Sequence, residues 1–294
     1  METTRFLDFD CARIENAALS LLVTQSVGPR IISLRFQGGD NLLAVLPDFV
    51  TQRPDGKFFH FYGGHRLWHA PESMPRTYAL DDCPVEVSAT QDGLGVVQPA
   101  EEQTGIEKSM QISLPEGRQQ IVIRHVLANR GAATVECAPW AITQFRTGGT
   151  AILPQSQQRT DVLPNRALAL WPYTCMASPE VYWGDGYILV HAGMESAFKV
   201  GFPNPRGWLA YWLEGTLFVK RAAFEAQAAY YDFGSSSECY CNGQFLELET
   251  LAPISRLAPG EVVSHTETWE LYAQVERPGD EQAVERIVEK LGLE

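Results

Sequence analysis

Turn-forming dipeptides interrupt this chain at short intervals, and that spacing limits its fold more than any other feature. Asp55-Gly56, Asp92-Gly93, Glu116-Gly117, Arg130-Gly131, Gly148-Gly149, Asp185-Gly186, Asn242-Gly243 and Pro259-Gly260 are all turn formers. Between them lie short runs rich in β-branched and aromatic residues: Leu19–Thr24, Arg30–Phe36, Ile106–Leu114, Gln119–Ala128, Thr134–Gln144, Tyr187–Ala192, Gly207–Leu213, Thr216–Arg221, Phe245–Leu251 and Val262–Tyr272. Short strands joined by close turns predict an all-β, antiparallel sandwich. Strands alternating with long helices are not seen. Only one stretch has helical periodicity. Asp280 can cap it, Ala283, Val284, Ile287, Val288 and Leu291 share one stripe, and Gly292 supplies the stop.

The core has ample material. Of 294 residues 45% are hydrophobic, with seven Trp, ten Tyr and fourteen Phe, which excludes a structureless chain. No linker, low-complexity segment or fixed-period repeat divides it, so residues 1–294 are expected to form a single domain. Lys plus Arg is 23 and Asp plus Glu is 36, a net charge of −13. That balance argues against nucleic acid or an anionic membrane as partner. No secretory signal and no run of ~18 apolar residues is present, so the expected location is cytoplasmic and the six cysteines are expected to be reduced thiols. Cys239 and Cys241 lack the two-residue gap of zinc or redox pairs. No dinucleotide fingerprint, Walker loop, GxSxG elbow or HExxH is found, so no cofactor or metal is implied. Any catalysis falls to carboxylates, histidines, arginines and aromatics.

Two constellations carry that chemistry. The segment Phe58–Glu72 packs three His, one Arg, one Glu and five aromatics into fifteen positions around Gly63-Gly64. A sugar, with an apolar C–H face and a rim of hydroxyls, suits aromatic faces beside hydrogen-bonding groups. His65, Arg66 and His69 are the candidate polar site, while Phe58, Phe59, Phe61, Tyr62 and Trp68 also read simply as core. A metal reading of His65, His69 and Glu72 needs a helix that Gly64 and Pro71 disfavour. In Phe245–Pro253, period-2 alternation puts Glu247 and Glu249 on one face, ~6.6 Å apart. Carboxylates that close repel, so at least one needs a cationic or hydrogen-bonding partner. Either can be a general base or an ordinary solvated glutamate. Lys199 is a possible cleft cation. His125 and His265 share strand faces with apolar residues and read as core. The Pro154–Pro179 stretch is long and irregular, as loops lining a binding site often are.

Gly63-Gly64-His65-Arg66-Leu67-Trp68 through Pro71-Glu72, Pro139-Trp140-Ala141-Ile142-Thr143, Phe245–Pro253, and Leu257-Ala258-Pro259-Gly260-Glu261 with the strand after it resemble the galactose mutarotase-like superfamily. The opening Leu19–Phe36, with Gly28-Pro29-Arg30, resembles the first hairpin of aldose 1-epimerases and hexose-6-phosphate mutarotases. The likeness spans about Asn16 to Tyr272. It implies a β-supersandwich with one C-terminal helix and a cleft binding a small-molecule sugar. It also implies acid–base ring opening, with Glu249 as base (Glu247 the one-step alternative) and Arg66 holding the sugar. Trp68, Glu72, Glu247, Lys199 and Trp140 are expected around the substrate. The family's middle histidine has no counterpart in Pro139–Thr143, which leaves His65 or His69 as the catalytic acid. The resemblance therefore admits an aldose 1-epimerase-like enzyme, a non-catalytic carbohydrate-binding module, or a glycoside-cleaving enzyme with Glu72, Asp232 or Glu238 as second carboxylate. In the first case Arg66, His65 or His69, and Glu249 should lie within ~5–8 Å of one point, since acid and base act on two oxygens of one anomeric carbon. Convergence of Arg66, Lys199 and Arg206 would favour an acidic or phosphorylated sugar.

Overall fold

In the computed structural model, which describes residues 2–294, two large sheets face each other. The larger runs in the order Glu2–Phe6, Phe9–Glu15, Leu19–Thr24, Arg30–Phe36, His65–Ala70, Val135–Phe145, Leu246–Leu251, Ser237–Cys241, Phe198–Phe202, Ala169–Leu170. The smaller runs Val181–Trp183, Tyr187–His191, Thr150–Pro154, Trp208–Leu213, Thr216–Ala222, Val262–Tyr272, Gln120–Asn129, Ile106–Ser113, Gly93–Val97, Glu86–Ala89. Pairing is antiparallel, as close turns require. This is the expected all-β sandwich. Each of the ten expected strand segments is a strand, and Leu19–Thr24, Arg30–Phe36 and Val262–Tyr272 keep their expected bounds.

The sandwich closes because alternate residues of each sheet are apolar and meet in the middle. Leu21, Ile31, Leu67, Phe145, Val200 and Leu248 from the larger sheet pack against Ile123, Phe218, Trp269 and Leu271 from the smaller. The helix Glu281–Leu291 lies on the outer face of the smaller sheet. Its Val284, Ile287 and Val288 pack with Ile152, Leu189, Trp208 and Val219. Asp280 caps it by accepting from the Ala283 N–H at 2.8 Å, and Gly292 ends it at φ 63°. Asp280→Ala is expected to cost about 1 kcal/mol of unfolding free energy in urea. No loss at all would mean that the packed stripe alone holds the helix.

Gly63 and Gly64 join the Phe58–Gly63 strand to the one that carries Arg66, at φ 91° and 74°. A Cβ on Gly63 would lie 2.1 Å from the Ala44 carbonyl oxygen, and one on Gly64 2.2 Å from that of Ile31. The pair thus serves backbone-to-backbone packing rather than close approach to a ligand. Arg30 holds the turn, donating to the Gly63 carbonyl at 2.6 Å and to Asp81 at 2.9 Å.

Candidate active site

Strand register builds the site. Pairing lines up Arg66, Ile142, Glu249 and Glu238 in one row across four strands of the larger sheet. Gln144, Glu247, Tyr240 and Lys199 form the next row. Both rows stand on the outer face, away from the smaller sheet. Phe49 and Phe61, from the separate Val45–Gln52/Phe58–Gly63 hairpin, wall a cavity of about 240 Å³ above them. Tyr78, Tyr173 and Phe245 add further aromatic wall, and Arg66, Trp68, Trp140, Lys199 and Glu247 line its base. Beside it lies a second lobe of about 380 Å³, lined by Met74, Trp171 and Asp232 and sharing Glu72, Tyr78, Trp140 and Lys199 with the first. The irregular Pro154–Pro179 stretch therefore supplies Trp171 and Tyr173 to the cleft.

Both expected carboxylates have a cation. Arg66 donates to Glu247 at 3.2 Å. Lys199 lies 3.0 Å from Glu249 and 2.7 Å from Glu238. Glu249 also accepts from the Trp140 indole at 2.7 Å and is fully buried. It is sealed beneath Trp140 and Lys199 and does not line the cavity, whereas Glu247, 7% exposed, does. Of these two glutamates the one placed to meet a ligand is therefore Glu247, expected around the substrate but as base only the alternative. Burial, with Glu249 adding, pushes Glu247 up to about 7 despite Arg66. Burial holds Glu238 well above the usual carboxylate range against the pull of Lys199. Burial opposes the Lys199 charge too, yet Glu238 and Glu249 raise that ammonium well above its ordinary value.

Arg66 has the clearest unmet need. It is 2% exposed, and its Nε and Nη1 have no partner. Its guanidinium lies 4.3 Å from the Trp68 ring centroid and 5.3 Å from that of Phe61. The buried Trp68 indole N–H is also unpartnered. Buried donors without partners are costly, and both residues line the cavity.

His65 and His69, expected as acids beside Arg66, face the other way. On a strand, neighbours of Arg66 must point to the opposite face. His65 lies between the sheets, 2.9 Å from Thr143 Oγ1 and 2.7 Å from His125 Nε2. His69 meets Glu101 at 3.1 Å, and Glu101 meets Lys108 at 2.5 Å. Burial lowers both histidines. Of the expected group, Arg66, Trp68, Glu72, Trp140, Lys199 and Glu247 come together, Glu249 sits beneath them, and the two histidines lie behind the sheet. Arg206 does not converge either. It pairs with Glu294 and with the Tyr187 hydroxyl on the smaller sheet.

Tyr78, Tyr240 and Phe49 line the cleft without having been expected. Tyr240 had a signal in Glu238–Tyr240, two polar residues at period 2 before the Asn242-Gly243 turn. Phe49 had none, because the pairing of its hairpin is long-range to the cleft.

The donors of His65, His125 and Glu267 lie within 4.8 Å of one another, but the cation there is Lys220, 2.8 Å from Glu267. His125 Nδ1 donates to the His265 carbonyl at 3.1 Å. Its Nε2 must then accept from His65, whose Nδ1 accepts from Thr143. Every ring nitrogen of His65 and His125 is thereby used.

No protein-family model matches the chain, and no curated protein matches it. Solved structures do. The Slr1438 protein of Synechocystis sp. PCC 6803 superposes with a TM-score of 0.60 at 12% identity, over 92% of this chain and 97% of that one. A candidate aldose 1-epimerase of Escherichia coli K12 gives 0.55 at 13% identity, over 90% and 99%. A galactose mutarotase-like protein of Lactobacillus casei gives 0.53 at 12%, over 89% and 100%. The chain has the galactose mutarotase-like fold. No helix among the described residues is long and apolar enough to cross a membrane.

Proposed function

We propose that the cleft binds a cyclic aldose and that Glu247 moves the proton in its ring opening and closing, the chemistry of an aldose 1-epimerase. One observation carries this reading: a carboxylate titrating at about 7 lines an aromatic cavity beside a buried arginine with unpartnered donors. At 240 Å³ the inner lobe is smaller than the ~300–1,000 Å³ of drug-sized sites, which suits a single sugar ring. Arg66 and the Trp68 N–H donate to ring hydroxyls, and the aromatic faces cover C–H surface. Ionised Glu247 takes the anomeric hydroxyl proton. The bond from the anomeric carbon to the ring oxygen breaks as that oxygen gains a proton, leaving the open-chain aldehyde. Rotation about the adjacent C–C bond and reversal of the steps gives the other anomer, with no net oxidation.

The ring-oxygen proton has no histidine source, since none lines the cavity. The hydroxyls of Tyr78, Tyr173 and Tyr240 line it instead. That gap favours a second reading, a sugar-binding protein without catalysis.

Polarimetry of freshly dissolved anomers separates the two. For the enzyme, the rate above buffer rises with pH through about 7, because the base form of Glu247 is the active one. For the binding protein, no aldose is interconverted faster than in buffer, yet a sugar still raises the melting temperature.

A further inference from the structure

The charges around the cleft select among sugars. Each of its two cations is in an ion pair: Arg66 through one nitrogen with Glu247, and Lys199 with Glu238 and Glu249 together. Lys199 is 4% exposed and is also covered by the Trp140 and Trp171 rings, each with its centroid 4.7 Å from the ammonium nitrogen. No other Lys or Arg lines either lobe. In the outer lobe a phosphate or carboxylate on the ligand therefore finds only Lys199, already ion-paired and covered. It meets instead two carboxylates without a cation partner, Glu72 and Asp232, both lining the outer lobe. Tyr78 donates to Glu72, which leaves that carboxylate hydrogen-bonded but not neutralised. The net charge of −13 adds a long-range field of the same sign.

The outer lobe also offers aromatic faces. Trp140, Trp171 and Tyr78 line it with the two carboxylates. Aromatic faces beside carboxylates attract a cation through the ring quadrupole and through charge. The outer lobe adjoins the Arg66 donors across Trp140 and Tyr78, so one ligand can place hydroxyls on Arg66 and a cationic group between Glu72 and Asp232.

Resting on the sugar-binding reading above, we propose that the ligand is an amino sugar, with its hydroxyls held in the inner lobe and its ammonium in the outer one, and that sugar phosphates and uronic acids are excluded. The unpartnered Nε and Nη1 of Arg66, a residue all but buried, are the independent sign that the cleft receives a hydrogen-bonding ligand. The carboxylates then define which kind.

Calorimetric titration at low ionic strength and neutral pH tests this with glucosamine, galactosamine, their N-acetyl forms, glucose, galactose, glucose 6-phosphate and glucuronic acid. The expected result is that at least one amino sugar binds about tenfold or more tighter than its neutral parent. N-acetylation, which removes the charge, should abolish that margin, and the two anions should give no heat. Added salt should narrow the margin by screening. Asp232→Asn should bring the ratio of amino-sugar to parent-sugar affinity toward one. Binding of a neutral hexose with no preference for its amine, or of glucose 6-phosphate as well as glucose, overturns the charge proposal and leaves the sugar reading standing. If none of the eight sugars binds, the sugar reading falls and the proposal with it.

Discussion

Glu247→Gln is expected to lower the rate of anomer interconversion by about 10²–10⁴-fold, the usual contribution of a general base. The amide is nearly isosteric and can still accept the Arg66 hydrogen bond, now 3.2 Å long to a carboxylate oxygen. It cannot take a proton. Affinity measured by calorimetry should therefore change much less than the rate. The pH dependence supplies a second, independent reading. In the folded protein Glu247 titrates at about 7, above its ordinary value of 4.5, chiefly through burial. Between those values the folded form holds a proton that the unfolded form has lost. Stability contributed by this group is thus present below about 4.5 and falls as pH rises to about 7. Glu247→Gln should remove both that slope and the rise of rate with pH. Glu249→Gln serves as the contrast. Glu249 lies under Trp140 and Lys199 without lining the cavity, so its loss should tell on folding more than on the proton transfer itself. A Glu247→Gln variant as fast as the wild type would transfer the base role elsewhere.

The fold was legible because strand composition and turn spacing are local signals. Val262–Tyr272 alternates after the Pro259-Gly260 turn, Leu19–Thr24 is a short run rich in apolar residues, and both are strands within their expected bounds. Three strands of the cleft gave weaker signals. Ser237–Cys241 contains no β-branched residue, and Phe198–Phe202 contains one. Both are buried strands only because a sheet receives them, a case of packing outweighing propensity. His65–Ala70, with two histidines and an arginine, is buried along its whole length.

The site was legible as a list of residues and not as an arrangement. Period 2 placed Glu247 and Glu249 on one face, and they are. The same rule, applied to His65-Arg66, already forbids adjacent strand residues from sharing a cleft. Which of two glutamates on one face meets the cavity depends on Trp140 and Lys199, which come from strands distant in sequence. Register across long-range pairings decides that, and a single strand's pattern does not contain it.

The network behind the cleft is expected to give the largest effect on stability. Lys220 and Glu267 are fully buried and 2.8 Å apart. The ammonium also donates to the Ala141 carbonyl at 3.0 Å, to Thr143 Oγ1 at 3.1 Å and to the Leu248 carbonyl at 3.0 Å. Glu267 further accepts from the Trp269 indole at 3.0 Å and from Thr250. Burial alone would raise Glu267, but Lys220, with the three nearby histidines, holds it well below the carboxylate range. Burial lowers Lys220 while Glu267 opposes that fall. Removing one partner strands the other charge in the core. Lys220→Met is therefore expected to cost about 3–5 kcal/mol in denaturant titration. Lys220→Met combined with Glu267→Gln should cost clearly less than the sum of the single changes, because no unpaired charge remains. Ala141 and Leu248 belong to the two strands that carry Trp140 and Glu247, so the single variant should also weaken sugar binding from behind the sheet. Should the two single costs simply add, the stabilisation comes from the carbonyl bonds of Lys220 and the ion pair is incidental to it.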